Sequence, residues 1–286
     1  MIENLVFSGA GVKIYSLIGF VKYLNEKDLL KNIKSVIGTS SGSLIATLVV
    51  LNLKYSEIEE IFLKLDMTSF KNITSENIMK FFDNYGVDDG SEIKRIIQII
   101  LSLKINNSNP TFKELHDITE KKLIICATCV NTMEIEYFSY DTNPDFYVVD
   151  ALMMSICVPF LFKPIVIGER YYIDGGLTKH YPIDYFKDEP KKTLGILVSS
   201  SLREEIKINN LKDYMKNILF CGYINLVKNC YNDFKENTIL IENEHNFLDF
   251  DIEYNSKLSL LEQGYNETKK RIESKEFKEY FELDTK

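Results

Sequence analysis

Histidine is scarce in this chain of 286 residues: there are three, His116, His180 and His245. That leaves few candidates for a general base of that type. His116 follows a short helical stretch beside Asp117 with no serine motif around it, and His245 lies in a polar run (242–246). His180, six residues after Asp174, is the one near a motif, although a histidine on a surface loop is the commoner case. Cysteine is also sparse. Five residues (Cys126, Cys129, Cys157, Cys221 and Cys230), an odd number scattered through apolar segments, form no disulfide framework and suit free thiols in a reducing, cytoplasmic setting. Cys126-x-x-Cys129 has the spacing of half a metal site. It sits inside a strand-like run without the second pair or nearby histidine that four-ligand zinc needs, so it carries no metal assignment.

Long apolar runs are missing too. The longest, 44–53 and 218–227, fall short of the roughly 20 residues a bilayer span requires, so membrane contact is expected to be peripheral at most. Met1 to Asn4 lead into a short strand without a basic segment and long apolar core, and no signal peptide is expected. Positive charge is in deficit: 34 Lys and Arg against 42 Asp and Glu give a net charge of −8, which excludes a broad nucleic-acid-binding face. A local lysine patch can still act against a negative total. Lys207, Lys212, Lys216 and Lys228 are candidates to face a membrane, although scattered lysines ordinarily make a solvated surface.

What is present is an ordinary globular balance, 45% hydrophobic and 27% charged, in a chain long enough for a sizeable core. Residues 5–8 form a short apolar strand that ends in Gly9-Ala10-Gly11. From Lys13 to Lys27, Ile14, Leu17, Ile18, Val21 and Leu24 recur at helical spacing. Residues 35–39, the Gly38–Gly42 turn and the helix after it repeat this strand–turn–helix unit. Two such units predict a parallel sheet with covering helices. Residues 56–103 read as helices, opened by Ser56-x-x-Glu59 and by Ser75; the last, 91–103, is apolar and amphipathic, either core-facing or part of a lid over an acyl pocket. Thr111-x-x-Glu114 opens a short helix. A hairpin follows (122–130 and 134–140), then a helix (146–157) stopped by Pro159, a second hairpin (164–168 and 170–173) and a core strand (193–199). Residues 202–286 read as mostly helical, with a strand near 238–242 and a solvated tail over 277–286. No repeat, low-complexity block or Gly/Ser linker is visible.

Three short motifs carry chemistry. In Gly38-Thr39-Ser40-Ser41-Gly42, between a strand and a helix, the middle residue of Gly-x-Ser-x-Gly is the exposed one, so Ser40 is the candidate nucleophile. The helix that starts there offers unpaired N–H groups, Ser41's among them, to a developing oxyanion. The bland alternative is a helix-capping serine. The loop Ser8-Gly9-Ala10-Gly11-Val12-Lys13 could cradle a phosphate or an oxyanion. Ile14 stands where a dinucleotide fingerprint needs its last glycine, and no Walker lysine follows. Asp174-Gly175-Gly176 offers a carboxylate on a glycine turn, which either accepts the serine proton or only bonds its own backbone.

Taken together and in this order, the three resemble the motifs of the patatin-like phospholipase family over roughly residues 5–186. Gly9-Ala10-Gly11-Val12-Lys13-Ile14 is similar to its glycine-rich oxyanion loop, Gly38–Gly42 to its nucleophile elbow and Asp174-Gly175-Gly176 to its Asp-Gly-Gly. Residues 155–164 and 177–182 resemble two further family segments. The resemblance implies a Ser–Asp dyad without histidine, Ser40 as nucleophile, Asp174 as base, and an oxyanion hole at the Gly9-Ala10-Gly11 loop, with N–H groups of Ala10 and Gly11; Ser41 joins them on the elbow argument. It implies no metal or other cofactor. The expected fold is α/β, a three-layer α/β/α sandwich with a mainly parallel central sheet (5–200) and a mainly helical C-terminal extension packed on it (201–286). The expected activity is hydrolysis of phospholipid or lysophospholipid esters through an acyl-serine, with lipid at a membrane or micelle surface as the partner and a protein activator left open. An acyltransferase, a small-ester esterase and a silent lipid-binding scaffold are the alternatives. Ala10 and Ile14 replace family glycines; a positive φ at Ala10 would be strained. Because aspartate and serine are mismatched in acidity in water, the dyad needs a dry site.

Overall fold

A computed structural model describes residues 1–70, 78–199, 208–245, 247 and 249–282, without the side chains of 69, 70, 212, 216 and 219–225. Ser75 and Lys207 lie outside the described residues, as do the side chains of Lys212, Lys216 and Cys221 and the junction at 200/201. β1 (Asn4–Phe7) leads through a single turn of 3-10 helix, Gly11–Lys13, into α1 (Ile14–Glu26), and β2 (Ser35–Thr39) leads into α2 (Ser41–Val50). α3 (Tyr55–Lys64), α4 (Phe81–Asn84), β3 (Gly86–Asp88), α5 (Ser91–Ile105) and α6 (Phe112–Thr119) follow. Then come β4 (Lys122–Cys129), β5 (Glu134–Phe138), α7 (Val148–Ile156), β6 (Phe160–Phe162), β7 (Ile165–Ile167), β8 (Arg170–Asp174), α8 (Gly176–Lys179) and β9 (Thr193–Ser199). The chain continues with α9 (Leu211–Asp233), β10 (Thr238–Glu242), α10 (Tyr254–Glu273) and α11 (Lys275–Tyr280). No helix among the described residues is long and apolar enough to cross a membrane.

The sheet runs β10-β9-β1-β2-β4-β8-β7, with β5 also on β4. The five strands from β10 to β4 are parallel; β5 and β8 run antiparallel to them, and β7, antiparallel to β8, runs in their direction. Strand alternation sends Leu5 and Phe7 to one core, shared with α1, α2, α7 and α10, and Val6 to a second, shared with Ile183, Phe186 and Val227. This is the three-layer α/β/α arrangement. The strand order reverses at β1, and in open α/β sheets ligands collect at the carboxyl ends of strands beside such a reversal. β10 extends the same sheet, so residues beyond 200 add to its edge as well as contributing helices.

Several local expectations need correction. α3 starts at Tyr55, and its first turn is closed by Glu57, which accepts the Lys54 N–H at 2.8 Å, so the Ser56/Glu59 pair is not the cap. At α6 the expected box is present: Thr111 Oγ1 accepts from Glu114 N at 3.2 Å and Glu114 Oε2 from Thr111 N at 2.8 Å. β3 and β6, absent from the sequence reading, pair as a separate two-stranded ribbon. The solvated tail is partly a packed helix, with Phe277 and Phe281 buried; 283–286 lie outside the described residues.

Candidate active site

Ser40 occupies the bend between β2 and α2 with φ 53° and ψ −132°, a conformation that a non-glycine residue keeps only when its surroundings hold it. Those surroundings are specific. Its N–H donates to Ser155 Oγ on α7 at 2.9 Å, and its carbonyl accepts from the Ser43 hydroxyl and N–H at 2.6 and 2.8 Å. A Cβ at Gly42 would lie 2.2 Å from the Ser8 carbonyl, so glycine there lets the elbow close onto the end of β1. The Ser40 hydroxyl does not cap α2. It donates to Asp174 Oδ2 at 2.5 Å.

The meeting of two residues 134 positions apart follows from the register on β4. One edge of β4 pairs first with β2, Thr39 opposite Cys126, and then with β8, Asp174 opposite Ala127. β2 and β8 run in opposite directions and end at adjacent places on the same strand, so the residue after Thr39 faces Asp174. Asp174 Oδ1 accepts the Gly176 N–H at 2.7 Å, and Thr128 Oγ1 donates to the Asp174 carbonyl at 3.0 Å. The glycine turn therefore bonds its own backbone with one carboxylate oxygen and reaches the serine with the other. Only 5% of Asp174 is exposed; burial pushes its carboxyl up to about 6, against the pull of its bonds from Ser40 and Gly176.

The glycine-rich loop lies alongside. The positive φ of 53° falls on Gly11, while Ala10 has φ −144°, so alanine in place of glycine is unstrained there. The Ala10 N–H donates to Ser41 Oγ at 3.1 Å. Gly9, expected as part of the oxyanion loop, donates its N–H to the His180 carbonyl at 2.9 Å and supplies room, since a Cβ on it would sit 2.9 Å from the His180 ring and 3.5 Å from Ser40 Cβ. His180 thus lies across Gly9 from Ser40, with Nε2 3.4 Å from the Val198 carbonyl, and burial lowers it to about 4, which keeps the ring neutral. Lys13 is fully buried and turned away from the serine. Its Nζ donates to the Asn243 carbonyl at 3.0 Å and sits 4.1 Å above the Phe247 ring.

Phe247, which the sequence reading missed, holds this loop from the C-terminal part of the chain. Its carbonyl accepts the Val12 N–H at 2.9 Å and would lie 2.1 Å from a Cβ at Gly11, and its ring meets His180 edge-on. Nothing in its polar neighbourhood marks it in the sequence. Ser155 was legible only as part of a similar segment. His116 stacks on Tyr140 and is remote from the serine motif in its contacts, and the described residues contain no metal-binding cluster of His, Cys, Asp and Glu. Burial pushes the Cys126 thiol up to about 12.

Ser40, Ser41 and Gly11 are among the lining of a cavity of about 950 Å3, its open mouth included. The remaining walls are almost wholly apolar: Leu44 and Leu48 of α2, Phe62 of α3, Ile93, Ile97 and Leu101 of α5, and Phe250 among them. Ile14, the second departure from the glycine-loop pattern, is buried and lines the cavity. α5 is core-facing through Ile93, Ile97 and Leu101, and the same residues line the cavity.

The model of the patatin-like phospholipase family matches residues 5–187. The chain is 28% identical over 283 residues to an uncharacterized protein, R571, of Acanthamoeba polyphaga mimivirus, covering 95% of this chain and 94% of that one. It is 30% identical over 217 residues to the probable lipid hydrolase 463L of Invertebrate iridescent virus 6, covering 72% of each. The fold is similar to the crystal structure of VipD from Legionella pneumophila, with a TM-score of 0.66 at 18% identity, over 94% of this chain and 66% of that chain.

Proposed function

The chain belongs to the patatin-like phospholipase family, and from that premise we propose that it hydrolyses carboxylic esters of phospholipids or lysophospholipids, with Ser40 as nucleophile and Asp174 as base. The observation that carries this reading is the 2.5 Å hydrogen bond to a buried carboxylate from Ser40 Oγ, a residue that lines an apolar cavity. Ser40 Oγ attacks the ester carbonyl carbon while its proton passes to Asp174 Oδ2. The carbonyl oxygen, now carrying the charge, is met by N–H groups of Gly11 and Ser41 beside the serine, at the positive end of α2. Ala10 N–H joins them when the Ser41 hydroxyl yields it. Collapse breaks the ester C–O bond, and the leaving alcohol takes the proton from Asp174. Water then attacks the acyl-serine, giving its proton to Asp174, which returns it to Ser40 Oγ as the fatty acid leaves.

Burial supports this assignment in two ways. It raises the basicity of Asp174 towards that needed to accept a proton near neutrality. It also excludes water from the charges formed during transfer. The depth of the apolar walls favours a long acyl chain over a small ester. Intact mass after exposure to a fluorophosphonate, for wild type and Ser40→Ala in parallel, tests the reading. One adduct on wild type and none on Ser40→Ala is expected; a folded wild type that takes no adduct refutes an activated serine.

A further inference from the structure

A band of exposed aromatic and apolar side chains is explained neither by the core nor by the site. Phe82 is 84% exposed, Met79 82%, Tyr85 58% and Phe160 44%, with Val166 and Tyr171 also exposed. Ring contacts and strand pairing join most of them into two groups. The Phe81 ring lies 5.5 Å from Phe82 and 6.4 Å from Phe160, and Tyr85 lies 6.4 Å from Tyr171, which pairs across β7–β8 with Val166. Large apolar groups seldom gather on a water-facing surface without an occupant. Two of them, Tyr85 and Phe160, hold positive φ values of 59° and 70°, where bulky residues stay only under constraint.

The band sits on the catalytic end of the sheet. β4 continues past the end of β2, and β8 pairs with that extension, carrying β7 with it. In β6, Phe160 and Phe162 stand two residues apart, the first exposed and the second buried. Phe162 and Val158 line the cavity, while Phe160 is outside. A single short strand therefore carries both a residue of the cavity wall and an exposed aromatic.

We propose that this band seats the protein on a zwitterionic phospholipid surface by insertion of its aromatic side chains. A lipid then passes from the bilayer into the cavity along apolar groups. The choice of occupant rests on the lipid-ester reading above. Phenylalanine and tyrosine are suited to the zone between headgroups and acyl chains. The band itself is made of uncharged side chains, and the net charge of −8 gives no overall attraction to anionic lipid.

Flotation with phosphatidylcholine vesicles tests this, using Ser40→Ala protein so that binding is read without turnover. Binding at low and at high salt is expected. Met79→Ser with Phe82→Ser in the same background is expected to weaken it at least about tenfold, through lost apolar burial. The rate of fluorophosphonate labelling, measured with Ser40 intact, is expected to be unchanged by that pair. No flotation of the parent, equal flotation of the pair, or binding that needs anionic lipid and disappears at high salt overturns the proposal. So does a dimer in sedimentation that the pair abolishes while vesicles go unbound. Selective loss of flotation supports the docking surface even if Ser40 proves unreactive, so the two readings fail separately.

Discussion

A buried carboxylate pushed up to about 6 makes pH a direct probe of Asp174. Only its ionised form can accept the Ser40 proton, so turnover is expected to rise with pH through about 6 and to fall below it. His180, held near 4, adds no limb in that range. Asp174→Asn is expected to lower turnover by about a thousandfold or more, comparable with loss of a triad member. The same group makes a stability prediction of opposite sign. Its folded value lies above the ordinary 3.8, so between about 4 and 6 the folded state binds more protons, and stability falls as pH rises through that window. His180 works the other way, losing stability as pH falls below about 6.5. The difference between Asp174→Asn and wild type isolates the carboxylate. Asparagine can accept from Gly176 N–H and donate to Ser40 Oγ, so at pH 7 the variant is expected to be more stable by roughly 2–3 kcal/mol. Urea titration of both proteins checks it; a less stable variant would contradict the cost assigned to the ionised group.

At the scale of elements, β4 acts as the ruler on which the site is assembled. Its residues Cys126 and Ala127 face the ends of β2 and β8 in turn, and no local pattern in the sequence expresses that pairing. The elbow and the glycine turn were legible because each is a short stretch whose residue types answer a local need. Phe247 was not, because its role comes from a carbonyl and a ring brought onto Gly11, Val12 and Lys13 by the long chain between them. Phe247→Ala keeps the carbonyl but removes the ring, leaving the loop free to shift. Fluorophosphonate labelling of Ser40 is expected to slow about tenfold, in line with small misplacements of catalytic groups. Recovery with Phe247→Tyr, which restores a ring of similar size, would separate positioning from a general loss of fold; an unchanged rate in Phe247→Ala would remove the residue from the site.

For the whole molecule, the consequential feature is a cavity walled by helices from several parts of the chain, with the serine in its lining. Ile97 of α5 lines it and is 7% exposed, so a larger side chain there takes up space available to substrate. Ile97→Phe is expected to reduce turnover of long-chain esters several-fold while sparing short ones, as small volume changes in an apolar pocket discriminate by about tenfold or more. A chain-length series of nitrophenyl esters reads this directly, and uniform loss across the series would argue against an acyl-binding role. The sequence alone determined the alternation of strand and helix, the elbow with Ser40, the glycine loop and the carboxylate turn, since each depends on periodicity or on residues a few positions apart. It also carried the family likeness. The tertiary structure alone decided that Ser40 bonds Asp174, that Gly11 and not Ala10 takes the positive φ, that Gly9 makes room for His180, and that α5 walls a cavity. Those are matters of register and packing between distant segments. They are set by which buried surfaces fit together, a property of the folded chain that no short window of sequence contains.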